Sequence, residues 1–179
     1  MNIIELVKKA QNGDQAAFMT LFEQYEQDIY RIAYVYLNHQ EDAMDVVQET
    51  AYRSFKAISR IKEPHYFKTW LIRIAITSSL DSLRKRKKTL RLAPDFGEWL
   101  ETGEEAEDIP LSITLKDLID SLDEEEKQVI VLRFYQDYTI KETAEIAEIP
   151  LGTAKTILYR ALSKLRKRAK EDDLHDQYR

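Results

Sequence analysis

Apolar residues recur at three- and four-residue spacing through nearly the whole chain, a period that a helix satisfies and a strand does not. Phe18, Leu21, Phe22, Tyr25, Ile29, Ile32, Ala33 and Tyr36 trace one stripe. Ala43, Val46, Val47, Thr50, Ala51, Phe55 and Ile58 trace a second, and Phe67, Trp70, Leu71, Ile74 and Leu83 a third. The 4 glycines and 4 prolines lie away from these runs, so the many turns of an all-β fold are missing. Asp14, just after Gly13, stands at an N-cap position and predicts a helix running through Tyr36. Asn38 to Gln40 breaks that helix. A second follows from about Glu41 to Ile58, Pro64 marks the next connection, and a third runs from about Tyr66 to Lys87.

The period disappears between Thr89 and Ile109. Pro94, Gly97 and Gly103 punctuate that stretch, and Asp95, Glu98, Glu101, Glu104, Glu105, Glu107 and Asp108 crowd it with negative charge. Such a composition does not bury enough surface to offset its ordering entropy, so it is expected to be a linker. Periodicity resumes at Leu111, with Leu115, Leu118, Ile119 and Leu122 on one short helix. Val129, Ile130, Leu132, Arg133 and Phe134 lie on another, after the acidic start Asp123–Glu126. The expected architecture is all-α: two small helical domains, residues 1–88 and 111–179, on a flexible acidic linker of residues 89–110. No internal repeat and no strand pattern is visible.

Several function classes drop out. The absence of cysteine excludes disulfides, thiolate zinc sites and cysteine nucleophiles. His39, His65 and His175 are scattered, and neither a glycine-rich phosphate loop nor a metal-ligand spacing occurs, so no catalytic residue, metal or cofactor is expected. No apolar run reaches the length of a membrane span, and Met1–Gln11 lacks a signal-peptide core; a cytoplasmic location is expected.

The net charge of −5 conceals an alternation. Tyr52 to Arg91 holds 12 basic and 2 acidic residues, and Thr139 to Lys170 holds 8 basic and 3 acidic. Met1 to Ala51 is acidic, with 3 basic and 9 acidic residues, and Leu92 to Tyr138 more so, with 3 and 14. Two basic blocks around an acidic centre suggest two separate polyanion contacts. Charge runs that are only solvated helix faces are the other reading.

Between Tyr138 and Leu165 lies the clearest local motif. Thr139 and Glu142 have capping-box spacing, and Ala144, Ile146 and Ala147 give the following helix a small apolar face. A break at Glu148-Ile149-Pro150 precedes a second helix, with Ala154, Ile157, Leu158, Ala161 and Leu165 facing in. Short helix, tight break and longer basic helix make a helix-turn-helix arrangement, although an antiparallel hairpin fits the same pattern. A major groove about 12 Å wide admits one helix. Lys155, Thr156, Tyr159 and Arg160 project from the side opposite the apolar face, and Lys164, Arg166, Lys167, Arg168 and Lys170 continue toward the backbone.

The string from Asp137 to Ile146, with Pro150-Leu151-Gly152-Thr153-Ala154-Lys155-Thr156 and Tyr159-Arg160-Ala161, is similar to region 4 of the sigma factors of bacterial RNA polymerase. Leu122 to Ile130 and Leu132-Arg133-Phe134 look like that region's opening helices. The resemblance implies that this module reads the −35 promoter element through Thr153, Lys155, Thr156, Tyr159, Arg160 and Lys164, and touches the polymerase flap. Asp42-Ala43-Met44-Asp45-Val46-Val47-Gln48-Glu49-Thr50 resembles region 2.2. Asp42, Asp45, Gln48 and Glu49 are thereby implied to dock on the clamp helices of the largest polymerase subunit. Their acidic stripe suits a basic partner, although for the stripe taken alone plain solvation of an exposed face is the stronger explanation. Phe67 to Ala75, with Asp81 and Leu83-Arg84-Lys85, resembles regions 2.3 and 2.4, which recognise and open the −10 element. Arg60, Lys62, Tyr66, Lys68, Arg73, Arg84 and Lys85 are the implied contacts: cations for phosphates, Tyr66 for an unstacked base in a pocket over residues 59–66. Phe67 and Trp70 have core spacing and are expected to pack.

The resemblance covers nearly the whole chain except the linker and the last residues. The missing intermediate domain points to the two-domain, extracytoplasmic-function group, and so to a partner set of core RNA polymerase, promoter DNA and an anti-sigma factor that holds the protein, at the membrane in some cases, until a stress or envelope signal arrives. Neither a small-molecule substrate nor membrane insertion is implied. Three residues depart from the family pattern: Glu148 replaces a usual glycine, Ile157 a common arginine and Thr77 a frequent asparagine. A free-standing helix-turn-helix regulator would leave the Asp42–Thr50 and Phe67–Arg84 patterns without a task, and a helical adaptor would leave the basic blocks without one.

Overall fold

The first turn of a helix has free amides, and the side chains that accept them decide where each helix of this protein begins. The computed structural model describes residues 2–92 and 118–176, and the chain divides into two units, Met1–Glu105 and Ala106–Arg179. In the first unit, α1 (Ile3–Gln11) starts on a capping box between Asn2 and Glu5. Gly13, at φ 90°, turns the chain, and α2 (Gln15–Glu23) begins where the Asp14 carboxylate accepts the Ala17 amide at 3.0 Å. α3 (Glu26–Leu37) ends on Asn38 in the left-handed conformation. α4 (Gln40–Ala57) and α5 (Phe67–Leu92) follow. The predicted single helix from Asp14 to Tyr36 is thus two, parted at Tyr25 (φ −120°, ψ 0°). The Tyr25 ring lies against Phe67, centroids 5.9 Å apart, so a tertiary contact accompanies a break that no glycine or proline marks.

Leu6, Val7, Phe18, Leu21, Ile29, Val47, Phe67 and Leu71 meet in one core contributed by all five helices. Each such side chain stabilises the fold by about 1.5–3 kcal/mol when buried. Phe55 meets Phe18 edge to face at 5.1 Å. Phe67 is fully buried, and Trp70 packs half-buried against the same core, as their spacing predicts. Two 3-10 turns, Ile58–Arg60 and Pro64–Tyr66, bridge α4 and α5. Gln11 of α1 donates to the carbonyls of Ile58 at 3.2 Å and Ile61 at 2.8 Å, so the first helix holds this connection in place. α5 runs to Leu92, beyond the predicted end at Lys87 and the predicted domain boundary at 88.

In the second unit residues 118–120 are helical. The rest of the predicted helix from Leu111, and most of the predicted linker 89–110, lie outside the described residues. α6 (Glu124–Ile130) starts on a capping box between Asp123 and Glu126. It continues into a π-helical turn, Val131–Tyr135, closed by the Gln136 amide on the Val131 carbonyl at 3.2 Å. α7 (Ile140–Ala147) starts on the predicted Thr139–Glu142 box and ends on Glu148 at φ 57°, ψ 39°. α8 (Leu151–Asp176) completes the unit. Ala161 packs on Leu122 and Ile130, with Leu158, Leu162 and Leu165 alongside. Ala154 and Ile157 are buried too. Among the described residues the secondary structure is helical throughout, with no strand.

Candidate nucleic-acid and protein interfaces

The period of α8 puts its small and aliphatic residues inward, which leaves a polar face outward. Thr153, Lys155, Thr156 and Tyr159 are all exposed, Tyr159 at 71%. The Thr156 hydroxyl donates to the Gly152 carbonyl at 3.0 Å, so its methyl and an oxygen lone pair remain available outward. Ile157 is 4% exposed and belongs to the core, so an arginine there would not extend this polar face without repacking. The left-handed Glu148 makes the tight turn between α7 and α8, and the Ile149 amide returns to the Ala144 carbonyl at 3.0 Å. A residue with a Cβ costs about 1–2 kcal/mol in that conformation.

Arg160 and Lys164 are exposed like the other predicted contacts on α8, at 48% and 45% of their side chains, but unlike them both are held by carboxylates. Arg160 Nε donates to Glu126 Oε1 at 2.6 Å and Lys164 Nζ to Glu126 Oε2 at 2.7 Å. Asp123 Oδ2 lies 3.5 Å from Arg160 Nη2 and 3.7 Å from Lys164 Nζ. Glu126 has no exposed surface. Burial pushes its carboxyl upward, yet the hydrogen bonds from Lys164, Arg160 and the Asp123 amide prevail and hold it below the usual carboxylate range. The hydrogen bond to Glu126, with Asp123 nearby, raises the Arg160 guanidinium in turn.

In the first unit the basic residues collect along α5 and the connection before it. Arg60, Lys62, Tyr66, Arg84 and Lys85 are exposed. Tyr66 is 56% exposed, with its ring 4.1 Å from that of His65, while the adjacent Phe67 is buried. Arg73 is half-buried. Lys68 pairs with Asp28 of α3 at 3.4 Å and stands over the Tyr25 ring. Thr77 is exposed, its hydroxyl donating to the Arg73 carbonyl at 2.9 Å.

The acidic face of α4 is partly engaged with α5. Arg86 Nη1 donates at 3.3 Å both to Asp42 Oδ2 and to the Leu37 carbonyl at the end of α3. Glu49 accepts from Arg53, which also binds Asp81. Asp81, adjacent in register to Arg84, thus has a partner across the helix pair. Asp45 and Gln48 are exposed, with Met44 beside them 42% exposed and Tyr52 farther along 55% exposed. Glu49 is exposed as well as paired, and Asp42 is half-buried; which of Asp42, Asp45, Gln48 and Glu49 is paired depends on where Arg53 and Arg86 reach, which periodicity does not encode. Among the described residues no three histidine, aspartate or glutamate side chains converge as a metal site, and no helix is long and apolar enough to cross a membrane.

Comparison with known proteins adds a second, independent line. Residues 21–89 match the family profile "Sigma-70 region 2", and residues 118–167 match "Sigma-70, region 4". RNA polymerase sigma factor SigV of Bacillus subtilis (strain 168) is 34% identical, over 93% of this chain and 99% of that one. ECF RNA polymerase sigma factor SigW of the same organism is 30% identical, over 96% and 98%. Among solved structures, CnrH in complex with the cytosolic domain of CnrY superposes with a TM-score of 0.72 at 23% identity, over 95% of this chain and 98% of that one. The sigma factor RpoE in complex with the anti-sigma factor NepR from Bartonella quintana gives 0.71 at 20% identity, over 86% and 96%. At those identities the two structures speak to the fold alone.

Proposed function

We propose a division of tasks between the two units on one premise: this chain belongs to the sigma-70 family of RNA polymerase sigma factors, in its extracytoplasmic-function group. As such it binds core RNA polymerase and directs initiation to specific promoters. The N-terminal domain, residues 1–88, anchors to core polymerase through the exposed part of the α4 face, Asp45, Gln48 and Glu49, with Asp42 at its edge. Arg60, Lys62, Lys68, Arg73, Arg84 and Lys85 follow the phosphates of the −10 element, and Tyr66 stacks on an unpaired base. The C-terminal domain, residues 111–179, reads the −35 duplex from α8.

The observation that carries this reading is the face of α8. Thr153, Lys155, Thr156 and Tyr159 stand exposed on a helix whose other side is closed by Ala154, Ile157 and Ala161. Those are side chains of the size and chemistry that contact base edges and phosphates in a major groove. An anti-sigma factor covers the polymerase-binding surfaces until a signal arrives, the protein acts in the cytoplasm, and it performs no chemistry of its own.

The test is reconstitution. Purified chain added to core polymerase with a randomised promoter library selects a −10 and −35 pair and initiates from it. Core polymerase that gains no selectivity, while the chain alone protects duplex DNA, overturns the assignment in favour of a free-standing regulator.

A further inference from the structure

We infer that Glu126 is a positioning residue for the promoter-reading helix, and that Arg160 and Lys164 act through it rather than on DNA. This rests on reading α8 as the −35 recognition helix.

A carboxylate without exposed surface is stable only when its oxygens are satisfied. Glu126 meets that need with partners from two elements. The Asp123 amide at 3.2 Å belongs to the start of its own helix, and Arg160 and Lys164 come from α8. The first contact fixes the carboxylate to α6; the other two fix α8 to the carboxylate. Arg160 and Lys164 lie four residues apart, one helical turn or about 5.4 Å along the axis. Two attachment points a turn apart set both the rotation of α8 about its axis and its position along it. Burial of Ala154, Ile157 and Ala161 turns the apolar face of α8 inward; those contacts are non-directional, so the finer rotation and the axial position are left to the two ion pairs.

Rotation matters because Lys155, Thr156 and Tyr159 reach a groove only if their face points outward, and each residue of slippage turns a helix by about 100°. Engagement with Glu126 also occupies one edge of the Arg160 guanidinium, while 48% of the side chain stays exposed. Its Nε is committed to Glu126 and its Nη2 lies beside Asp123, so that edge of the guanidinium does not present a free fork to a phosphate or a guanine.

The test uses the full-length chain and two duplexes: the −35 sequence that the holoenzyme enriches from a randomised library, and a scrambled duplex of equal composition. Affinity for both is measured against salt, well below the unfolding midpoint, for Arg160→Gln, Lys164→Gln, Arg160→Lys, Glu126→Gln, Lys155→Gln and the Glu126→Gln/Arg160→Gln pair. We expect Arg160→Gln and Lys164→Gln to lower the preference for the −35 duplex about tenfold, the worth of about one lost base contact, without changing the salt slope. Arg160→Lys restores much of that preference, and Arg160→Gln adds nothing in the Glu126→Gln background. A slope reduced by about 0.9 with preference intact makes Arg160 a phosphate contact and overturns the proposal. Lower thermal stability with slope and preference both unchanged makes the clamp a mere stabiliser and overturns it equally. Lys155→Gln is expected to reduce the slope by about one; if it does not, the recognition-helix reading falls, and this proposal with it.

Discussion

Arg53 of α4 donates from Nη1 to Asp81 Oδ2 of α5 at 2.9 Å and from Nε to Glu49 Oε1 at 2.6 Å. One guanidinium therefore joins the proposed polymerase-binding helix to the proposed −10-reading helix. The hydrogen bonds to Asp81 and Glu49 raise its pKa, but all three side chains keep a third or more of their surface in water, and solvent screens such pairs. Arg53→Ala is expected to destabilise the N-terminal unit by only about 0.5–1 kcal/mol. Urea unfolding followed at Trp70, in a Trp99→Phe background, measures it. A loss above about 3 kcal/mol contradicts the screened geometry.

Asp45 and Asp42 separate binding from architecture. Asp45 is exposed, whereas Asp42 accepts from Arg86. Asp45→Lys is expected to weaken core polymerase binding at least about tenfold by setting like charges against each other, with thermal stability unchanged. Asp42→Asn is expected to lower both, because Arg86 also closes the end of α3 at the Leu37 carbonyl. Equal core affinity in wild type and Asp45→Lys removes the exposed face of α4 from the polymerase interface.

Tyr66 and Phe67 are neighbours in sequence and opposites in environment. Phe67→Ala is expected to cost about 3–5 kcal/mol of stability as a core truncation. Tyr66→Ala is expected to leave stability within about 0.5 kcal/mol and to weaken binding of single-stranded −10 DNA by the holoenzyme by about 1–3 kcal/mol, the range of one stacked base. Unchanged single-strand affinity in Tyr66→Ala places the base elsewhere.

Local signals in the sequence reach some of these features and not others. The Asp14 cap, the Thr139–Glu142 box, the Asn38 break and the inward sides of α4, α5 and α8 are all local: a period, a cap or a turn residue a few positions away decides them. α1 has the same kind of local signal, the Asn2–Glu5 box and the spacing of Leu6, Val7 and Ala10, which the expected helices beginning at Asp14 do not include. The break at Tyr25 and the π-turn after Ile130 have no marker, since the aromatic and aliphatic residues there suit a continuous helix. Arg160 and Lys164 are the instructive pair. Helical projection places them near the DNA-facing residues, and only the fold brings Glu126, 34 residues upstream of Arg160, to meet them.

Glu148 offers a stability test that needs neither polymerase nor DNA. At φ 57°, ψ 39° it occupies a conformation costing about 1–2 kcal/mol for a residue with a Cβ. Glycine removes that strain but adds about 0.4–1 kcal/mol of unfolded-state entropy. Glu148→Gly is therefore expected to stabilise the C-terminal unit by about 0.5–1 kcal/mol, raising protection of the α8 amides in hydrogen exchange on the full chain. Lower protection means that the side chain contributes more than the turn costs.

The buried carboxylate makes the C-terminal unit sensitive to acid in a defined sense. Glu126 sits below the usual carboxylate range when folded and titrates near pH 4.3, roughly, in an unfolded chain. A depressed folded pKa contributes stability that is fully present above the unfolded value and is lost as pH falls through the folded one. Glu142, also lowered by its hydrogen bonds with Thr139, contributes in the same direction, so acid sensitivity of the wild type alone does not identify Glu126. The difference between wild type and Glu126→Gln does, because Glu142 is common to both and cancels. That difference is expected to be about 1.5–3 kcal/mol near neutral pH, the range of hydrogen bonds to a charged group. It should stay constant down to about pH 5 and narrow on further acidification, as the wild-type carboxylate takes up a proton and the glutamine does not. Hydrogen exchange of the α8 amides across that range reads it directly. A difference that is independent of pH means that Glu126 is not the charged centre of the clamp.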